Sequence, residues 1–170
     1  IKHPKSYPQS LILDELKLIS TDQLHDKLER NWDVSEAASE IRLTYFLERK
    51  VLDYHINRDI PKEDGTSILS PYLRWGLIGP RQVVHSLKRM NSLSAEGFLV
   101  YSKEIYWREF AYNVLYHFPY TPDVPLQEKY LNFPWQSNPD MLDCWQRGQT
   151  GYPIVDAGMR QLYETGWMHN

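Results

Sequence analysis

A carboxylate, an indole and a guanidinium occur at helical spacing in one apolar stretch of this sequence. In "YSKEIYWREFAY", Glu104, Trp107, Arg108 and Ala111 lie three or four residues apart and therefore share one helix face. Charged groups on an apolar helix are costly to bury unless they are paired or used. The pattern predicts either a Glu104–Arg108 ion pair on a partly wet face, or a recognition face. In a recognition face Trp107 stacks on a flat ligand, Arg108 binds a phosphate and Glu104 hydrogen-bonds a polar group.

The hydroxyl-rich stretch "GTSILS" is a second candidate site. Gly65 frees the backbone, and Thr66 and Ser67 follow it directly. Ser70 and Pro71 form a typical N-cap and first helical residue. Unpaired N–H groups at a helix N-terminus can bind a phosphate. The stretch therefore predicts either a phosphate-binding loop or a simple capped turn.

The C-terminal stretch "PIVDAGMRQLYETGWMHN" carries two informative glycines. Gly166 predicts the end of a helix, because glycine adopts the left-handed conformation without a Cβ penalty. The residues after it, Trp167 to Asn170, carry too much apolar area for a frayed terminus. Gly158, in the middle of the helix, costs about 1 kcal/mol relative to alanine. It therefore predicts a closely packed neighbour, either a helix or a ligand.

The histidine and cysteine content predicts no metal site. No two of the six histidines lie three or four residues apart, and Cys144 is the single cysteine. One cysteine cannot form a disulfide within the chain, which suits a reducing, cytoplasmic compartment. No apolar run approaches the ~20 residues of a membrane span. The net charge of −3 argues against a chain coated in basic residues for non-specific nucleic-acid binding.

The elements that position these residues are predicted to be helices, and the fold class is all-α, a multi-helical bundle. Residues 1–20 are predicted to be a linker and the start of a first helix, with cap-like residues at 20–22. The main predicted helices cover about 35–57, 71–75, 80–90, 95–118, 139–147 and 153–165. In the helix over 35–57 an apolar stripe faces the core, formed by Leu43, Phe46, Leu47, Val51 and Tyr54. The helix over 95–118 is apolar almost all round and is therefore predicted to be buried.

These stretches, taken together and in order, resemble the FAD-binding helical domain of the DNA photolyase and cryptochrome family. The matching motifs are "RDIP", "GTSILSPYLRWGLIGPRQ", "EIYWREF", "WQSNP" and "WQRGQTGYPIVDAGMRQL" followed by "GWMHN". They run from about Trp32 to Asn170. The resemblance implies that residues 21–170 form the N-terminal portion of that domain, in a chain cut at both ends. It also implies FAD, active in its reduced form, and an antenna chromophore in a missing domain.

The resemblance also implies a role for individual residues. Glu104, Trp107 and Asn170 would be catalytic, and Trp135 would transfer electrons during photoreduction of the flavin. The implied cofactor-binding residues are Tyr54, Thr66, Ser67, Ile68, Leu69, Ser70, Tyr101, Glu104, Arg108 and Asn170. The implied DNA-binding residues are Arg58, Glu104, Trp107, Arg108, Ala111 and Asn170. Ile68 departs from the basic or polar residue often found there in the family.

The activity that the resemblance implies is light-driven repair of cyclobutane pyrimidine dimers by electron transfer from reduced FAD, as in a class I deoxyribodipyrimidine photo-lyase. Asn170 favours this branch, since other branches carry histidine or aspartate at that point. UV-damaged DNA would be the partner of a monomeric protein that does not bind membranes. One alternative is a blue-light photoreceptor of the cryptochrome type. Another is an isolated fragment that cannot hold FAD and is inactive.

Overall fold

The computed structural model describes residues 11–18, 23–90 and 95–169, and these ranges contain helices and no strand. The α-helices are α1 (Gln23–Asn31), α2 (Glu36–Arg49), α3 (Tyr54–Asn57), α4 (Ser70–Trp75), α5 (Pro80–Lys88), α6 (Glu96–His117), α7 (Pro139–Gln146) and α8 (Pro153–Thr165). Three short 3₁₀ segments accompany them, Leu13–Leu16, Val51–Asp53 and Glu128–Tyr130. The predicted all-α class is confirmed. No helix in the described ranges is both long enough and apolar enough to cross a membrane.

The chain forms two compact units. One is Asp33–Asn138, which contains α2 to α6. The other combines Ile1–Trp32 with Pro139–Asn170 and contains α1, α7 and α8. All the residues with predicted roles belong to the first unit except Asn170, which lies outside the described residues.

The core of Asp33–Asn138 forms around the apolar stripe that was predicted for residues 35–57. All five stripe residues are buried, as predicted; they are Leu43, Phe46, Leu47, Val51 and Tyr54. The ring of Tyr101 in α6 lies 4.5 Å from that of Phe46 and 5.1 Å from that of Tyr54, measured between centroids. Aromatic rings at these distances bury a large apolar area and pack in defined orientations. The cluster therefore fixes α6 against α2 and α3.

The prediction of a single helix over 35–57 is wrong, because the helix is interrupted near Lys50. The Oγ of Ser35 accepts a hydrogen bond from the N–H of Ala38 at 3.1 Å, so the predicted N-cap is confirmed. The helix then ends at Arg49 and continues as the 3₁₀ segment and α3. Gly97 of α6 packs directly on the carbonyl groups of Val51 and Leu52, and a Cβ atom there would overlap them. The break thus coincides with the close crossing of α6.

The predicted helix over 95–118 is confirmed as α6, but its predicted burial holds only for the first half. Phe98, Tyr101 and Ile105 are buried against α3, α5 and the 3₁₀ segment. Trp107 is 62% exposed and Tyr116 is 82% exposed. A sequence that is apolar all round does not tell which half of a helix meets a neighbour, and here only the first half does.

Glycines end α4 and precede α5 as predicted, but the start of α4 differs from the prediction by one residue. Gly76 ends α4 at a φ of 75°, and Gly79 precedes Pro80 at the start of α5, as predicted. Ser70 is the first helical residue rather than the N-cap, a place that Leu69 takes instead. The shift of one residue means that no side chain caps α4.

In the other unit, α8 begins at Pro153 and ends at Thr165, as predicted, and Gly166 has a left-handed φ of 72°. Gly158 does have a close neighbour, but it is neither another helix nor a ligand: it is the side chain of Met168, whose Sδ would lie 3.0 Å from a Cβ at residue 158. The predicted helix around 139–147 is confirmed as α7. Of the predicted linker only residues 11–18 are described, with a 3₁₀ segment, and the predicted caps at 20–22 lie outside the described residues.

Candidate functional site

Glu104 and Arg58 form an ion pair at the middle of the candidate site. The Nη1 of Arg58, just after α3, donates to the Oε1 of Glu104 in α6 at 2.5 Å. This hydrogen bond raises the pKa of Arg58, because it stabilises the charged guanidinium. Both side chains are partly buried, with exposed fractions of 24% and 35%. The pair therefore holds a carboxylate in a fixed position on the exposed edge of α6.

Of the two alternatives for this helix face, the Glu104–Arg108 ion pair does not form. Arg108 instead donates to the Oε1 of Glu109 at 2.7 Å and to the carbonyl oxygen of Leu73 at 3.1 Å. It also donates to the hydroxyl of Tyr112 at 3.3 Å. The contact with Leu73 ties α6 to α4 and keeps Glu104 available for Arg58.

Trp107 lies on the same face of α6 as Glu104 and is open to solvent. Its ring packs edge-on against Phe110 at 5.6 Å between centroids. Ala111, one turn further along the helix, is also exposed and adds little bulk. An exposed indole beside a small residue is a surface on which a flat ring can stack.

Tyr101 and Tyr54 lie beneath this face. The hydroxyl of Tyr101 is buried and makes no hydrogen bond to the residues that the structure describes. Burial raises the pKa of Tyr101 because it disfavours the phenolate, while the nearby side chain of Ser67 opposes the shift. Burial also raises the pKa of Tyr54, and the charge of Arg58 opposes it. Buried polar atoms are normally paired, so an unpaired one points to a missing partner.

The loop before α4 has an unusual backbone. Gly65 packs on the backbone of Asn57, and a Cβ at residue 65 would lie 2.5 Å from the Asn57 Cβ. Ile68 has a φ of 50°, which is rare for a β-branched residue. Leu69 follows in the right-handed region, with a φ of −87°. Such alternation of backbone hand turns successive N–H groups to one side and makes an anion-binding concavity.

The hydroxyl groups of the same loop add further polar atoms. The Oγ of Ser67 accepts a long hydrogen bond of 3.4 Å from the N–H of Leu69. Thr66 and Ser67 are half-buried, while Ser70 is exposed at the start of α4. Because no side chain caps α4, its first N–H groups have no protein partner of that kind. The donor set suits phosphate oxygens, which agrees with the phosphate-binding alternative.

Trp135 lies in the irregular segment 131–138. It is 78% exposed and packs on Phe133, with 4.6 Å between ring centroids. The structure thus brings together Tyr54, Arg58, Tyr101 and Glu104, and Ser67 lies beside Tyr101. It does not bring Glu104 and Arg108 into an ion pair.

Two polar clusters in the other unit were not predicted from the sequence. The carboxylate of Asp156 accepts hydrogen bonds from the N–H and hydroxyl of Thr150 at 2.7 and 2.6 Å, and from the N–H of Gly151 at 3.0 Å. The Nε1 of Trp32 donates to the carbonyl oxygen of Thr165 at 2.5 Å. Asp156 follows the turn "GQTGYP" by a few residues, a spacing that suggests a side chain folding back on its own turn. No local signal connects Trp32 with Thr165.

A groove of about 650 Å³ lies between α5 and α6, away from the candidate site. Its α6 wall consists of Ile105, Tyr106 and Glu109, which at 100° per residue face away from Glu104 and Trp107. Within residues 11–18, 23–90 and 95–169 no three His, Cys, Asp or Glu side chains are grouped to hold a metal ion. The candidate site lies instead on the exposed face of α6 that carries Trp107.

Comparison with known proteins identifies relatives for the whole described region. Residues 101–170 match the family described as the FAD binding domain of DNA photolyase. A deoxyribodipyrimidine photo-lyase from Synechococcus is 45% identical over 141 residues, which cover 79% of this chain and 29% of that protein. A bacterial class III photolyase from Agrobacterium tumefaciens has a TM-score of 0.88 at 37% identity, over 98% of this chain and 35% of the other.

A cryptochrome from Synechocystis is also similar, with a TM-score of 0.74 at 33% identity over 82% of this chain and 30% of the other. The chain therefore spans about a third of the length of the relatives that it matches. Relatives from both branches preserve the helical fold, and the assignment to class I stays a prediction. By these matches and by its fold, the chain belongs to the DNA photolyase and cryptochrome family.

Proposed function

We propose that this chain supplies part of the FAD- and DNA-binding site of an enzyme that repairs cyclobutane pyrimidine dimers in UV-damaged DNA with light. The observation that carries the proposal is the Arg58–Glu104 pair beside the exposed ring of Trp107 on one face of α6. A fixed carboxylate, a cation and an open indole are what a flat, polar base lesion next to a phosphate requires. Family membership supports the same reading.

The residues beneath this face fit FAD. The unpaired hydroxyl of Tyr101 and the hydroxyls of Thr66, Ser67 and Ser70 would hydrogen-bond the cofactor. The alternating backbone at Ile68 and Leu69 would present N–H groups to its phosphates. Tyr54 would line the same region, and Arg108 would balance phosphate charge. A β-branched residue at positive φ costs roughly 1–3 kcal/mol, so its presence here favours a functional loop.

The DNA side of the site would use residues of α3 and α6. Trp107 would stack on a dimer that has been turned out of the duplex, with Ala111 leaving space beside it. Arg58 and Arg108 would bind the DNA backbone, because guanidinium groups pair well with phosphate oxygens. Glu104 would accept a hydrogen bond at the dimer and keep the dimer in position beside the cofactor.

Reduced FAD would supply the electron and absorb the light, and the protein residues would hold the reactants in place. The carboxylate of Glu104 would accept a hydrogen bond from a ring N–H group of the dimer and so fix its orientation. By the family resemblance, Asn170 would also contribute to the flavin and dimer site. Trp135 would serve photoreduction of the flavin, for which its exposed position suits a solvent-side electron donor. The proposed enzyme is also a monomer in the cytoplasm and carries an antenna chromophore.

A blue-light photoreceptor of the cryptochrome type is the second candidate, because a cryptochrome preserves this fold at 33% identity. Such a protein would bind FAD and respond to light without repairing dimers. Asn170 favours repair, as argued from the sequence. The two candidates differ in one measurable outcome, loss of dimers under light.

The test uses protein that contains these residues, loaded with reduced FAD, and an oligonucleotide with one thymine dimer. We expect dimer loss under blue light only. Glu104→Gln should lower the yield by about tenfold, since it removes a charged hydrogen-bonding group. Glu48→Gln is the matched control, because Glu48 is an exposed carboxylate of α2 with no role in the proposed site, and it should leave the yield near that of the parent protein.

Dimer loss in the dark, or none in light with reduced flavin, would contradict the repair function. Flavin photochemistry without dimer loss would favour the cryptochrome alternative. Equal yields for Glu104→Gln and Glu48→Gln would contradict the role proposed for Glu104.

A further inference from the structure

The C-terminal end of α8 is held by side chains from another helix. The last carbonyl groups of any α-helix have no partner within the helix. Here the Nε1 of Trp32 donates to the carbonyl oxygen of Thr165 at 2.5 Å, and the Nδ2 of Asn31 donates to that of Glu164 at 3.2 Å. Both donors lie at the end of α1. We call these two side chains the carbonyl clamp.

Apolar and charged contacts support the clamp along the same interface. Leu28 packs so closely on Gly166 that a Cβ at residue 166 would overlap its side chain. Lys27 pairs with Glu164 at 3.1 Å and lies 3.8 Å from the ring centroid of Tyr163. The point at which the chain leaves α8 is therefore fixed by α1.

The residues after that point fold back on α8. The N–H of Trp167 donates to the Oγ1 of Thr165 at 3.2 Å, and the N–H of His169 donates to the Oε1 of Gln161 at 3.3 Å. The side chain of Met168 covers Gly158, where a bulkier residue would displace it. The segment Trp167–His169 thus has a defined path that begins at the clamped helix end.

We propose that Asn31 and Trp32 are positioning residues, whose hydrogen bonds set the path of the segment Trp167–His169. The inference rests on the proposed function, in which the next residue, Asn170, contributes to the flavin and dimer site. Without the clamp, the carbonyls of Glu164 and Thr165 would turn to water and the end of α8 would fray. The segment Trp167–His169 would then adopt its observed conformation in only a fraction of the molecules. The clamp residues themselves need not touch cofactor or DNA.

The first test measures backbone hydrogen exchange in this chain without FAD. Trp32→Phe keeps an aromatic ring and removes only the donor, so the amides of Trp167 and His169 should exchange about tenfold faster. Lys27→Met is the matched control, because it breaks a contact on the same interface without touching the carbonyl groups. It should leave those two amides unchanged. Unchanged exchange in Trp32→Phe, or equal acceleration in both variants, would overturn the clamp.

The second test asks whether the clamp matters for the proposed site. In flavin-loaded protein, Trp32→Phe should lower the repair yield per absorbed photon by about threefold to tenfold, since small misplacements of reacting groups have large effects. The loss should remain when dimer-containing DNA is saturating, which separates it from any change in DNA affinity. Asn31→Ala removes the other donor and should show the same pattern, which keeps the test valid if Trp32→Phe folds poorly. A normal yield in variants with accelerated exchange would overturn the positioning role.

The two tests separate the inference from the function on which it rests. If the parent protein repairs no dimers, the proposed function fails, whereas the exchange measurement still decides whether the clamp exists. If the parent protein repairs dimers and both clamp variants match Lys27→Met in yield, only the further inference fails.

Discussion

At the scale of single residues, the pairing of charges is the main result that local spacing did not predict. Helical spacing placed Glu104 beside Arg108, but Glu104 pairs with Arg58, 46 residues earlier. Arg108 has other acceptors, Glu109 and the carbonyl of Leu73. An i, i+4 pair at a surface contributes only about 0.3–0.5 kcal/mol, so a better partner displaces it easily.

Asp156 gives a prediction about acid stability. Its pKa is lowered from the ordinary value of 3.8, chiefly by the hydrogen bond from the Thr150 hydroxyl and also by the N–H groups of Thr150 and Gly151. A lowered pKa in the folded state stabilises the protein above pH 3.8, and this contribution is lost as the pH falls through the lowered value. Asp156→Asn should therefore lower the melting temperature at neutral pH, with the difference from the parent shrinking in acid.

The measurement is thermal unfolding followed by helical circular dichroism across the acid range. Asp143→Asn is the control, because Asp143 forms only an exposed i, i+4 pair with Arg147 at 2.9 Å. Its melting temperature should stay close to that of the parent. A difference for Asp156→Asn that stays constant into acid would contradict the assigned cause.

At the scale of elements, α6 combines two functions along its length. Its first half is a packing helix, in which Gly97 allows close approach to the carbonyls of Val51 and Leu52. Its second half presents an open face that begins at Trp107. The same apolar sequence therefore builds a core at one end and an exposed aromatic face at the other.

Gly97 and Gly158 should respond differently to alanine. Gly97→Ala places a Cβ against rigid backbone and should destabilise the protein by about 2–3 kcal/mol, as overpacking does. Gly158→Ala meets only the end of a flexible Met168 side chain and gains helix propensity, so its effect should stay within about 1 kcal/mol. Urea unfolding of both variants measures the difference. Similar losses in the two variants would show that the close crossing of α6 is not what requires Gly97.

At the scale of the whole molecule, the buried core is unevenly distributed. In the described ranges every buried hydrophobic side chain belongs to Asp33–Asn138 except Met159 of α8. Apolar burial contributes most of the stability of a domain, so the two units should differ in local stability.

Native-state hydrogen exchange tests this difference. Amides of α2 and of the first half of α6 should exchange the slowest, and amides of α8 should exchange faster after correction for intrinsic rates. The reason is that local unfolding of α8 exposes much less buried apolar area than local unfolding of α2. Slower exchange in α8 than in α2 would contradict the prediction.

The sequence by itself determined the fold class, most helix bounds and the family. Ser35, Gly76 and Gly166 end or begin helices through bonds and dihedral angles within a few residues, so their effect is local and readable. The stripe of α2 was equally clear, because a period of 3.6 residues identifies the buried face. The family followed from several motifs in a fixed order, which no single motif could establish.

Only the tertiary structure decided which distant groups meet. The break at Lys50, the Arg58–Glu104 pair and the carbonyl clamp each depend on residues from elements far apart in the chain. Likewise, only the placement of α3 and α5 decided which half of α6 is covered. Local patterns specify how a segment folds and which face is apolar, whereas its partner depends on how all segments pack together.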